Sequence, residues 1–472
     1  MSSLTDWSHM SRLPEVIESD QMTIVGHDFD IPLVIGKGRF RNIDSGKFEY
    51  EMTGKAPDIR RSLSYLKKIS DNPYRGDLRC RLMFDSRNGE HFSGGWTIPH
   101  VQPIEGGQMG DLRCHGSSEE LWIGGLPGAS EKPAMDVQMS IPRGRRSFFA
   151  LARFVGNGHR IDILGTRLEF DFDQTSDVLR IRAEAVDGFN IPFAENWLAE
   201  PLRIMFRELI YPRLVIRDFG NGRADVCLRA VADARRLPVW AGMWRGERYL
   251  ADKAAFWDMY ANLLTHVASG KETDGTPLFE ANNLTQHYEE IIQAAVGSRR
   301  VWALNLASTV EALVLELFPR GSRDQSADEK AIDELVDYIG KWKGTNDLKA
   351  AAAGAVRRKA EMSAAKALAR LRKEGAVNKA GVDAWNSIRN KVMHGSLISI
   401  YSDEREDDQI LALMELVHVL AERIVSVAPP SDATTPTDRI AGEGTDGDES
   451  ETPGRYEQPG SSDTATTPAI EP

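Results

Sequence analysis

Strict alternation is the clearest pattern along the chain. In Leu168-Glu-Phe-Asp-Phe-Asp173 and Val178-Leu-Arg-Ile-Arg-Ala-Glu184, apolar and charged or small residues take turns. That is the period of a half-buried strand. A four-residue loop from Gln174 to Asp177 sets Phe172 opposite Leu179 and Phe170 opposite Ile181. The same register sets Asp171 opposite Arg180 and Glu169 opposite Arg182. One face of this hairpin is then apolar, and the other carries opposite charges. Further strands are predicted at 78–84, 91–98, 135–141, 159–164 and 213–217. Glycine and proline clusters separate them, such as Gly94-Gly95, Gly106-Gly107 and Gly124-Gly125-Leu-Pro127. The first 231 residues thus read mainly as strands, in an antiparallel sandwich or barrel-like arrangement.

From about residue 232 the period changes from two to three or four. Helices are predicted over 250–264, 284–295, 301–318, 328–342, 348–373, 379–393 and 407–427. Pro319 ends the third. The last carries Ile410, Leu411, Leu413, Met414, Val417, Leu420 and Ile424 as a core stripe. Short links between these helices predict an antiparallel bundle. After residue 427 the chain turns to Pro, Thr, Gly, Ser, Asp and Glu. It has too few large apolar groups to offset the entropy of ordering, so disorder is expected. The chain therefore reads as an α+β multidomain protein. A β-rich domain (1–231) precedes a helical connector (232–284), a helical bundle (285–427) and an acidic tail (428–472).

Composition changes this picture little. With 472 residues the chain is long enough for two or three cores. No apolar run approaches the roughly 20 residues of a membrane helix, and the N-terminus lacks the pattern of a secretory signal. Cys80, Cys114 and Cys227 lie far apart, with no CxxC pair, which fits a reducing cytoplasm and argues against a disulfide framework or structural zinc. The net charge is −12. Ten acids against Arg439 and Arg455 fall between Pro429 and Pro472, so the tail carries most of it. No phosphate-binding glycine loop occurs where a strand meets a helix, which argues against an NTPase or a dinucleotide enzyme. No histidine, aspartate and glutamate cluster has metal-ligand spacing, so no metal or cofactor is expected.

The candidate chemistry lies in Ser387-Ile-Arg-Asn-Lys-Val-Met-His-Gly395. Arg389 is permanently cationic and can grip a phosphate through a planar fork of donors. His394 can move a proton near neutral pH. Asn390 and His394 are four apart and share a helix face. Arg389 and His394 diverge by about 140° on an ideal helix, but the long arginine side chain and a loosened last turn before Gly395 can bring them together. The plain alternative is two cations capping a helix C-terminus.

Arg389, Asn390 and His394, closing a penultimate bundle helix, resemble the signature of the HEPN superfamily (higher eukaryotes and prokaryotes nucleotide-binding). The resemblance covers roughly residues 285–427. It implies a helical bundle that dimerises and a metal-independent endoribonuclease site shared by two protomers. In that reading an RNA 2′-OH attacks the adjacent phosphate. His394 serves as general acid or base, Arg389 stabilises phosphoryl charge, and Asn390 orients His394 or holds a phosphate oxygen. Many members act as toxins or in phage defence, and the layout here resembles phage-defence nucleases of the ApeA type. The β-rich part would then sense a phage or cellular trigger. The rival reading is a non-catalytic dimerisation or nucleotide-binding module.

Other residues join the candidate site. Glu311, mid-helix in Ser308-Thr-Val-Glu-Ala-Leu, is placed to polarise His394 or pair with Arg389; a charge on a solvent edge is the alternative. Between Lys349 and Lys373 eight cations face one acid, Glu361. On one continuous helix Lys359, Lys366, Arg370 and Lys373 fall within about 60° of one another. Such a stripe suits an RNA backbone, and Ala360, Ala364, Leu368 and Leu371 form the expected buried face. Arg143-Gly-Arg-Arg-Ser-Phe-Phe149 mixes basic and aromatic residues, either as single-strand binders do or as a strand edge with two core phenylalanines.

Overall fold

The computed structural model describes residues 15–27, 32–43, 47–72, 78–108, 110–123, 134–156, 158–184, 194–220, 223–230, 250, 252–271, 282–319, 329–359, 361–393, 398–399 and 401–426. Strands dominate the first half. In chain order they are β1 (Val16–Val25), β2 (Pro32–Ile43), β3 (Lys47–Lys55), β4 (Cys80–Asp85), β5 (His91–Thr97), β6 (His100–Pro103) and β7 (Asp111–Ser118). There follow β8 (Glu120–Ile123), β9 (Ala134–Ser140), β10 (His159–Ile163), β11 (Thr166–Asp173), β12 (Val178–Glu184), β13 (Leu214–Gly220) and β14 (Arg223–Arg229). They form one sheet in the order β10-β11-β12-β9-β13-β14-β8-β5-β4-β1-β2-β3-β7-β6. Neighbouring strands pair antiparallel throughout.

The β11–β12 hairpin has the register that its alternation predicts. Phe172 faces Leu179, Phe170 faces Ile181, Asp171 faces Arg180 and Glu169 faces Arg182. The charges also find partners on the outer strands. Arg180 donates from Nε to Asp136 Oδ1 of β9 at 2.8 Å, and Arg160 of β10 pairs with Glu169.

Three helices that were not predicted interrupt the strands: α1 (Ile59–Asp71), α2 (Arg146–Phe154) and α3 (Ala194–Phe206). Asp58 caps α1 by accepting from Arg61 N at 3.0 Å. The Arg143–Phe149 segment is a turn and the first residues of α2, not a strand edge. There Arg143 ties to Asp177 at 2.7 Å, and the Ser147 hydroxyl donates to Glu208 at 2.6 Å. Only Phe148 faces inward, edge-on to Phe172; Phe149 stays exposed. α3 is buried on nearly every side and contains Pro201, so it lacks the one-sided apolar stripe that marks a surface helix.

The second half is helical: α4 (Lys253–Ala268), α5 (Asn283–Gly297), α6 (Arg299–Leu317), α7 (Glu329–Lys341), α8 (Asn346–Arg357), α9 (Ala364–Lys373), α10 (Lys379–Met393) and α11 (Glu404–Ser426). An α+β layout results. Two expectations need correction. The helix predicted over 348–373 is broken into α8 and α9, because Ser363 starts a new helix by accepting from Lys366 N at 3.3 Å. Leu411 is half exposed rather than part of the α11 core stripe. The other stripe positions are buried. Ala364, Leu368 and Leu371 are buried as expected; Ala360 lies outside the described residues.

Two apolar cores flank the sheet. One is built from β1–β5 and β7 with Ile69 of α1. The other runs from β9, β11 and β12 through α2 and α3 into α4–α6 and α9–α11. Strands β8, β13 and β14 serve both. Leu121, Ile123, Leu214, Ile216, Val226 and Leu228 enter the first core, and Trp122, Val215 and Cys227 enter the second. Each is a short continuous apolar run, as strands buried on both faces are. On the helix side Arg217 is wholly buried, 2.8 Å from Glu195 of α3 and 4.5 Å over the Trp122 ring. Glu195 also accepts from Arg229 at 2.9 Å, which locks α3 to the sheet. The described residues belong to one compact unit. Of the expected boundaries, 231/232 lies outside the described residues and 284/285 falls in the first turn of α5. The acidic tail expected to be disordered also lies outside them.

Candidate functional site

Three helices position the candidate residues. The buried positions Val382, Ala384, Trp385 and Ile388 form the inner face of α10, and Trp385 Nε1 donates to Ala307 O of α6 at 3.1 Å. One turn on along both helices, Arg389 Nε donates to Glu311 Oε2 at 3.3 Å. The Arg389 guanidinium also lies 5.3 Å from the Trp385 ring centre. Arg389 and Glu311 are thus brought together. Asn390 follows on α10 and is exposed. His394 and Gly395 lie outside the described residues.

The segment beyond them is anchored by a residue that sequence reasoning missed. Arg299, at the start of α6, donates from Nη1 to Ser399 O at 2.9 Å and Tyr401 O at 2.8 Å. It also pairs with Glu406 at 3.2 Å and with Asp407. Lys391 of α10 meets the same Glu406 at 2.9 Å. The hydrogen bond from Lys391, with those from Ser399 N and Arg299, holds the Glu406 carboxyl below its ordinary pKa. Ser402 and then Arg299 do the same for Asp407. The α10–α11 connection is therefore tied by charge at both ends, and Arg299 carried no local signal beyond its place at a helix start.

The basic residues are not one stripe. Lys359 sits on the turn after α8, while Lys366, Arg370 and Lys373 lie on α9. The helix break separates them. Lys366 Nζ turns back to the carbonyls of Lys359 and Glu361. Arg370 pairs with Glu374 at 2.9 Å and lies 5.5 Å over Phe318, just past the end of α6. Lys359 and Lys373 are exposed.

Other reactive groups are internal. Cys80 and Cys114 are buried thiols pushed up to about 12 by desolvation. His418 is buried with Nδ1 2.6 Å from the Tyr288 hydroxyl. Among the described residues no three His, Cys, Asp or Glu side chains gather as metal ligands. Nor is any described helix long and apolar enough to cross a membrane. Comparison with protein-family models, curated proteins and solved structures finds no match to this chain.

The arrangement has a definite chemical capacity. Arg389 and Glu311 are each 42% exposed. An ion pair this wet is worth about 0–1 kcal/mol. Arg389 can leave Glu311 for an arriving phosphate at small cost, and a bidentate arginine–phosphate contact repays it.

Proposed function

We propose that the helical part of this chain is a metal-independent endoribonuclease of HEPN type. The observation that carries this reading is the weakly held, half-exposed Arg389 on the last turns of α10, five residues before His394. Arg389 neutralises charge that builds on the phosphoryl oxygens. His394 takes the proton of the attacking 2′-OH or returns one to the leaving 5′ oxygen. Asn390 orients His394 or holds a phosphate oxygen, and Glu311 parks Arg389 between turnovers. The products are a 2′,3′-cyclic phosphate and a 5′-OH. The site is completed by a second copy through the bundle. The sheet-bearing part restrains it until a phage or cellular trigger arrives, so that the protein acts in the cytoplasm as a toxin or abortive-infection effector.

The test is RNA cleavage by wild type, Arg389→Ala and His394→Ala, each with and without EDTA. Each substitution is expected to lower cleavage by about a hundredfold or more, with EDTA having no effect on wild type. Growth arrest on expression should vanish with His394→Ala. A folded wild type that cleaves nothing under activating conditions would instead mark a non-catalytic module.

A further inference from the structure

Charge is concentrated where α3 lies between the sheet and the helical half. Glu195, Glu200 and Arg203 of α3 are 0%, 0% and 2% exposed, and Arg207, just past its end, is 3% exposed. A charge taken out of water is costly, and apolar groups of like volume are often at least as stable. Burial accordingly pushes the Glu200 carboxyl up. Stability is a poor reason for such groups. What buried ion pairs supply is registry: separating one strands an uncompensated charge, so the paired elements move together. Apolar contacts are non-directional and impose no such condition.

Glu195 and Glu200 are five residues apart, about 140° around a helix, and they meet different elements. Glu195 takes Arg217 of β13 at 2.8 Å and Arg229 of β14 at 2.9 Å. Glu200 takes the start of α5: its Oε2 accepts from the Thr285 hydroxyl at 2.5 Å and from Asn282 N at 3.2 Å. Arg203 lies 2.9 Å from Glu289, one turn further along α5. A single residue, Ser298, separates α5 from α6. The first residue of α6 is Arg299, the anchor of the α10–α11 connection. By contrast, α4 meets the sheet through rings, Trp257 and Tyr260 against Phe170 of β11.

We propose that α3 and α5 form a relay between the sheet and the helical half. A displacement of β13 and β14 is passed by Glu195 to α3 and by Glu200 and Arg203 to α5. Through Ser298 it reaches Arg299, and with it the connection that follows α10. The relay stands on these contacts alone. Only its use, control of cleavage, rests on the nuclease reading above.

The experiment is amide hydrogen–deuterium exchange, read by mass spectrometry on the full chain without RNA. Arg229→Gln removes a cation from Glu195. It should speed exchange about tenfold or more at Leu284 and Gln286, the amides that Asn282 holds, and at Ser399, as well as in β13 and β14. Thr285→Val removes the hydroxyl at the other end. Because coupling is reciprocal, it should speed exchange in β13 and β14. Phe170→Leu loosens the sheet at an apolar contact and should leave the start of α5 within about twofold of wild type. Faster exchange confined to β13, β14 and α3 in Arg229→Gln overturns the proposal. So does an equal effect of Phe170→Leu at α5, or a rise spread evenly over all helices, which makes Arg229 a support of global stability only. Should Arg229→Gln not fold, Thr285→Val decides: unchanged exchange in β13 and β14 overturns the relay. A wild type that cleaves no RNA removes the nuclease reading and leaves these exchange results untouched.

Discussion

Arg389 and Glu311 are each 42% exposed, and that wetness separates their role from stability. Glu311→Gln is expected to shift unfolding free energy by less than about 1 kcal/mol, read from the denaturant midpoint. A larger loss would make the pair a structural clamp. His418 behaves in the opposite way. Burial, and then the charge of Arg207, hold its pKa well below 6.5. Once unfolded it titrates near its ordinary value. The folded chain therefore binds fewer protons in this range, and stability rises with pH. The His418 contribution is whole above about pH 6.5 and is lost as pH falls toward the folded pKa. Desolvation shifts His159, His266 and His287 downward as well. The thermal midpoint should fall from about pH 7 to about pH 5, and His418→Gln should make the fall shallower by up to about 1.4 kcal/mol per pH unit. An unchanged slope in that variant would show that His418 titrates normally when folded.

At the scale of elements, Arg299 connects the start of α6 with the α10–α11 connection. Its guanidinium is only 11% exposed and satisfies carbonyls as well as carboxylates. Arg299→Gln leaves Glu406 and Asp407 short of a cation and is expected to cost about 1–3 kcal/mol. Amide exchange at Ser399 and Tyr401 should rise with it; protected amides in the variant would argue against the anchor. Legibility at this scale follows burial. α10 runs over 379–393 as its spacing predicts, because it buries one face and leaves another wet. α3 escaped because burial on nearly all sides erases the period. The α8–α9 break turns on one hydroxyl, Ser363, which a helical wheel does not weigh.

At the scale of the molecule, strands β8, β13 and β14 belong to both cores. Val215 and Ile216 are adjacent in sequence, yet one packs toward the helices and the other away from them. Val215→Ala and Ile216→Ala are each expected to cost about 1–4 kcal/mol. Helix ellipticity and tryptophan fluorescence should shift together in both variants, because neither core can melt while the shared strands stand. Separate transitions would show two independent folding units. The sequence by itself determined the β11–β12 register, the succession of a strand-rich half and a helical half, most of the α11 core stripe and the candidate Arg389–Asn390–His394 string. Each is written in local spacing, and spacing reports which face is buried. Only the tertiary structure decided that Glu311 meets Arg389 across 78 residues and that Arg299 meets Asp407 across 108. It also decided that one sheet divides two cores and that no described side chain of α7 or α8 is buried. Local periodicity shows that a face needs a partner; which distant face supplies one depends on how the whole chain packs.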